Sequence, residues 1–132
     1  MAQITIANLL TQIQVHYNFG ILNPGEKYLT KIVDSVIRPN SFQGTSLRLI
    51  FEIIEGQFVG THISHILTAQ QKDERYSQSF VNLIGLFFDL NNPNESFDVK
   101  DLVGKTCQIL VENNKPGSRW QKVTEILIPK ES

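Results

Sequence analysis

The sequence predicts a mainly β domain with one principal helix. Three observations lead there: strand-type alternation before residue 70, helical spacing of apolar residues between 71 and 90, and a return to short β-branched runs after Thr106. Residues 1–24 read as an N-terminal arm whose pattern fits two structures. Ile6, Leu9, Leu10 and Ile13 have helical spacing, whereas Ile4, Ile6, Ile13, Val15 and Tyr17 suit a strand. Asn23-Pro24-Gly25 then turns the chain, and residues 25–128 form the predicted domain, with 129–132 as a short tail.

Tyr28 to Val36 is the first predicted strand, favoured by Tyr28 and the β-branched Ile32, Val33 and Val36, and broken by Arg38-Pro39-Asn40-Ser41. In TSLRLIFEIIEG, Leu47, Leu49, Phe51 and Ile53 fall on one face and Arg48, Ile50, Glu52 and Ile54 on the other. The apolar members of the second face call for a curled sheet or a covering element. Phe58 to Leu67 supplies a third strand with Gly60 near its start. The helix follows: Tyr76, Phe80, Leu83 and Phe87 recur at spacings of four, three and four, with Asp73 and Glu74 at its positive end. Gly85 weakens it, unless its bare backbone permits a close approach to the sheet. After a connector anchored by Phe97, Val99, Leu102 and Val103, two last strands fit Thr106 to Val111 and Arg119 to Ile128. Three strands, a helix and two strands in that order match the five-stranded OB-fold, a partly open barrel.

Composition narrows the functional classes. Hydrophobic residues make up 41% of the 132-residue chain, which suffices for a core without a disulfide or a metal. The lone Cys107 lies in an apolar stretch and reads as a small buried hydrophobe. No apolar run reaches the 18–20 residues of a membrane span and no leader pattern precedes Ile4, so the expectation is a cytoplasmic protein with no membrane partner. Twelve Lys and Arg against thirteen Asp and Glu leave a formal charge of −1, which offers no global attraction for phosphate. The local distribution is uneven. Lys27, Lys31, Arg38 and Arg48 face a single acid, Asp34, over residues 27–48, and Lys105, Lys115, Arg119 and Lys122 face Glu112 over 105–122.

NPGEKYLTKI at the domain's start, LRLIFEIIEGQFVGTHISHIL across the second and third strands, VNLIGLFF in the helix, and DLVGKTCQILVEN before RWQKVTEI form a further pattern. Between Asn23 and Ile126 the chain thereby resembles the DUF669 family of phage and prophage proteins, thought to be relatives of single-stranded DNA binding or annealing proteins. The resemblance implies a role accessory to phage-type replication or recombination, alongside proteins of those processes. Where the family often has Arg or Lys after the glycine equivalent to Gly60, this chain has Thr61.

Single-stranded nucleic acid offers phosphates and unstacked bases, so a sequence-tolerant binder needs cations along a groove and exposed π-faces within it. Arg38 and Phe42 bracket the first inter-strand loop, Arg48 lies on the more polar face of its strand, and Lys115, Arg119 and Trp120 sit at or beside the last loop. In an OB-fold those two loops flank the binding surface. These six residues are the expected interface for single-stranded DNA or RNA. Trp120 alternates with Gln121, so its position also fits the core. Most other aromatics, including Tyr28, Phe51, Phe58, Phe80, Phe87 and Phe88, are expected in the core.

Catalysis finds little support in the pattern. His62 and His65 are three apart in a predicted strand and point to opposite faces, and one cysteine makes no zinc motif, so neither a metal nor another cofactor is expected. A protein-interaction or homo-oligomeric assembly module is the stronger rival. It draws on the apolar arm and on the face carrying Ile50 and Ile54.

Overall fold

The computed structural model describes residues 17–40, 44–92, 96–114 and 121–128. It contains β1 (Glu26–Asn40), β2 (Gly44–Ile53), β3 (His62–Gln70), α1 (Gln78–Phe87), a 3-10 turn (Val99–Leu102), β4 (Thr106–Asn113) and β5 (Gln121–Leu127). All neighbouring strands pair antiparallel in the order β3-β2-β1-β4-β5, and contacts between β3 and β5 bring the sheet round into a nearly closed barrel. This is the predicted OB-like arrangement, with the helix between β3 and β4 in sequence. No helix among the described residues is long and apolar enough to cross a membrane.

The long first strand makes the barrel possible. Glu26–Lys31 pairs with β4, while Thr30–Asn40 pairs with β2, so β1 serves two neighbours in succession. A register shift between Ile32 and Asp34 leaves Val33 as an extra residue, a β-bulge that bends the strand where it changes partner. Pro39 does not end the strand as expected. Beyond Lys31, β1 has a strand neighbour on one side only, so the missing N–H costs no second ladder bond.

Leu47, Leu49, Phe51 and Ile53 are fully buried inside the barrel with Ile32, Cys107, Ile109 and Val111. Thr30, also buried, donates its hydroxyl to the Cys107 carbonyl at 3.0 Å, and burial pushes the Cys107 thiol pKa up. Phe51→Ala would remove a fully buried ring, a change that costs about 3–5 kcal/mol. Residues 17–24 are knit into this body. Leu22 is in the core, and the Gln121 side chain bonds both its N–H, at 2.8 Å, and its carbonyl, at 2.5 Å.

Two element boundaries differ from expectation for local reasons. β3 begins at His62 because Gly56 and Gly60, both at φ +89, wrap Gln57–Gly60 into a turn, with Thr61 N–H donating to Phe58 O. Phe58 thus belongs to the turn, where its ring meets Tyr28 edge-on at 5.9 Å. The helix begins at Gln78 rather than near Asp73. Gln71 and Arg75 close a backbone loop, Glu74 takes a positive φ of 71°, and Asp73 binds Arg75 at 2.7 Å instead of facing a helix dipole. Ser77 is the N-cap, accepting from Phe80 N–H at 3.1 Å and donating to the Thr68 carbonyl. Phe80, Leu83 and Ile84 form the buried stripe, while Tyr76 precedes the helix and stacks on Phe80 at 5.8 Å. Gly85 admits Leu90, whose Cδ1 lies 3.0 Å from where a Cβ would stand, rather than the sheet.

His65 faces the gap between β3 and β5 beneath α1, beside Leu67, Leu83 and Val123. Burial holds its pKa below the ordinary imidazole value of about 6.5. On acidification the unfolded chain therefore takes up this proton first, and the folded state loses stability as pH falls below about 6.5. His65→Gln is expected to flatten that part of the stability profile, measured by urea unfolding between pH 7.5 and 5.5.

Two glycines make a second comparison. Gly25 (φ +80) has open space where a Cβ would stand, whereas at Gly44 (φ +95) a Cβ would meet Gln70 O at 2.1 Å. Gly25→Ala should cost roughly 1 kcal/mol for backbone strain alone, and Gly44→Ala about 3 kcal/mol or more, because the clash is with backbone. Urea midpoints of the two variants check the difference.

Candidate nucleic-acid interface

Residues opposite one another in an antiparallel pair share a face, so the register fixes which side chains meet. Tyr28, Thr30 and Ile32 point into the barrel, and Lys27, Leu29 and Lys31 point out. Strict alternation would then aim Arg38 inward. The extra residue at Val33 reverses the parity: Ser35 and Ile37 pair with the core residues Leu49 and Leu47, while Val36 pairs with Arg48 and Arg38 with Ser46. All four bases of the first basic segment, Lys27, Lys31, Arg38 and Arg48, therefore share the outer face. Arg38 and Arg48 are diagonal neighbours there, about 7–8 Å apart at the backbone.

β3 extends this face with His62, Ser64, Ile66 and Thr68, opposite Glu52, Ile50, Arg48 and Ser46. Arg48 stands between Val36 and Ile66, and Ile66 is 64% exposed. The acids of the face are occupied. Glu52 lies 3.0 Å from His62 Nε2, and Asp34 lies 3.8 Å from Lys100 Nζ and accepts from the Ser35 N–H at 3.0 Å. Burial, with the nearby Asp34 carboxylate, raises the Tyr17 pKa, while Arg48 acts in the opposite sense. Among the described residues neither Arg38 nor Arg48 has an acidic partner within 4.0 Å.

A cleft of about 490 Å³ opens beside Arg48, bounded by Phe19, Ile21, His62, Ser64 and Gln121. Phe19 is 52% exposed and holds its place through a parallel bridge to His62 and edge-on packing with Tyr17 at 5.9 Å. Gln121 directly follows the last inter-strand loop, so the cleft joins the middle of β2 to the base of that loop. The chain matches no protein-family model, no curated protein and no solved structure.

Of the six expected interface residues, Arg38 and Arg48 lie on one face, and Phe42, Lys115, Arg119 and Trp120 fall outside the described residues. Phe19 was missed by sequence reasoning. Its signal was the pair Tyr17 and Phe19 just before a turn, hidden inside a segment whose alternation fitted a packing arm. His62 and His65 do lie on opposite faces: His62 joins the cleft and His65 the gap under the helix. Ile50 is 0% exposed, so it presents no apolar surface to a partner.

Proposed function

We propose that the outer face of β1, β2 and β3 binds single-stranded nucleic acid in a sequence-tolerant manner, as a binder and not a catalyst. One observation carries this reading: an arginine free of acidic partners, Arg48, shares a cleft with an exposed aromatic ring, Phe19, while a second arginine stands diagonally beside it. Phosphates suit the two guanidinium groups, and an unpaired base suits Phe19 and the exposed Ile66. A duplex hides its base faces in the stack and gains only the phosphate contacts. The neutral overall charge is compatible with this chemistry because four bases, Lys27, Lys31, Arg38 and Arg48, share the outer face with two acids, Asp34 and Glu52. DNA rather than RNA as the strand, and a setting in phage-type replication or recombination with its proteins as partners, rest on the family resemblance of the sequence.

A second reading, a protein-interaction module, has its own observation. Ile37, Tyr76, Leu90 and Phe97 are exposed around an apolar groove of about 470 Å³ lined on one side by α1.

Fluorescence anisotropy with single-stranded and duplex oligonucleotides at low and near-physiological salt separates the two. Single strands should bind more tightly than duplex. Arg48→Ala and Arg38→Ala should each weaken binding to every strand sequence and lower the salt slope by roughly 0.7 per lost phosphate contact. Phe19→Ala should cost about 1–3 kcal/mol of affinity and leave the slope unchanged. No binding by folded protein at low salt would remove this reading and leave the groove as the better guide to function.

A further inference from the structure

Residues 17–22 cross the start of β3 as a short strap, and one residue of β3 fastens it. The Asn18 backbone N–H donates to His62 Nδ1 at 2.8 Å, and the His62 backbone N–H donates to the Asn18 carbonyl at 2.9 Å. The Tyr17 ring packs edge-on against the imidazole with centroids 5.2 Å apart. Since Nδ1 accepts, the ring proton of the neutral imidazole sits on Nε2, from which it is donated to Glu52 at 3.0 Å. The neutral ring thus satisfies a partner at each nitrogen.

A second proton has only Nδ1 to occupy. There it would point at the Asn18 N–H, donor against donor across 2.8 Å, and the acceptor that holds the strap would be gone. The surrounding charges pull in both directions. Glu52 is the acid at the ring, 3.0 Å from Nε2, and Asp34 is a more distant negative charge on the same face. Arg48 in the same cleft and Lys31, opposite Glu52 in the register, are the positive charges nearby. One rearrangement resolves the conflict: the protonated ring keeps Glu52 and gives up Asn18.

We propose that His62 is a proton-operated latch on the strap, and that protonating it frees residues 17–19 and withdraws Phe19 from the cleft. The latch stands on the geometry of His62, Asn18 and Glu52; its consequence for nucleic acid rests on the proposed function above. The direction of the effect is diagnostic. An added positive charge on the face would by itself tighten binding of an anionic strand, whereas loss of the Phe19 wall weakens it.

The test pairs two readouts at pH 7.5 and 5.5 and at constant ionic strength. One is the exchange protection of the Asn18 amide, read by NMR and corrected for the intrinsic pH dependence of exchange. The other is anisotropy with an oligothymidylate. In the wild type, Asn18 protection should fall about tenfold or more and binding should weaken about fivefold or more at the lower pH. His62→Gln, whose side-chain carbonyl can accept from Asn18 but takes up no proton, should lose both pH dependences. Should that variant not fold, Asn18→Pro deletes the donor itself and makes the same expectation for binding. Full Asn18 protection in the wild type at pH 5.5, or an equal loss in His62→Gln, overturns the latch. Loss of protection in the wild type alone, with no oligonucleotide bound at either pH, supports the latch and overturns the nucleic-acid reading.

Discussion

The β-bulge at Val33 is the constraint on which most of this structure depends. A single strand has to pair first with β4 and then with β2, and it can do so only by bending sharply at the handover. The extra residue supplies the bend and also changes which side chains face out. Ser35 and Ile37 are thereby delivered to the inner face opposite Leu49 and Leu47, and Arg38 joins Lys31 and Arg48 outside. Barrel closure and assembly of the basic face are consequences of the same inserted residue.

Closure is completed by elements that are not strands. Helix α1 lies over the gap between β3 and β5 with Phe80, Leu83 and Ile84 turned inward, and Leu22, ahead of β1, adds its side chain to the core. Gln121 bonds both backbone groups of Leu22, tying the start of β5 to the strap. The strap is therefore held at two places of different chemistry. Gln121 is an amide and His62 an imidazole, so the proposed latch acts at Asn18 and leaves the Gln121 bonds to Leu22 intact.

A protein with a charge of −1 gathers Lys27, Lys31, Arg38 and Arg48 on the outer face of β1 and β2, which also carries the acids Asp34 and Glu52. Glu52 is hydrogen-bonded to His62, and Asp34 lies near Lys100. Elsewhere Asp73 is neutralised by Arg75, and burial of Ile50 under the same face removes the apolar surface that an assembly reading had drawn from it. Exposed apolar residues lie both beside Arg48, at Phe19 and Ile66, and around the groove at Ile37, Tyr76, Leu90 and Phe97.

By itself the sequence determined the class of the fold, the helix between the third and fourth strands, and the inward set Leu47, Leu49, Phe51 and Ile53, because alternation and helical spacing are local consequences of burying one face. It also separated His62 from His65, since an odd spacing in a strand puts side chains on opposite sides. Where β3 and α1 begin was less legible: positive φ at Gly60 and Glu74 and the cap at Ser77 are chosen by backbone bonds that several patterns allow. Tertiary structure alone decided that Arg38 shares a face with Arg48 and that Phe19 stands beside it. The first depends on an inserted residue that alternation cannot register, and the second on a strap placed by hydrogen bonds to His62, 44 residues further along the chain.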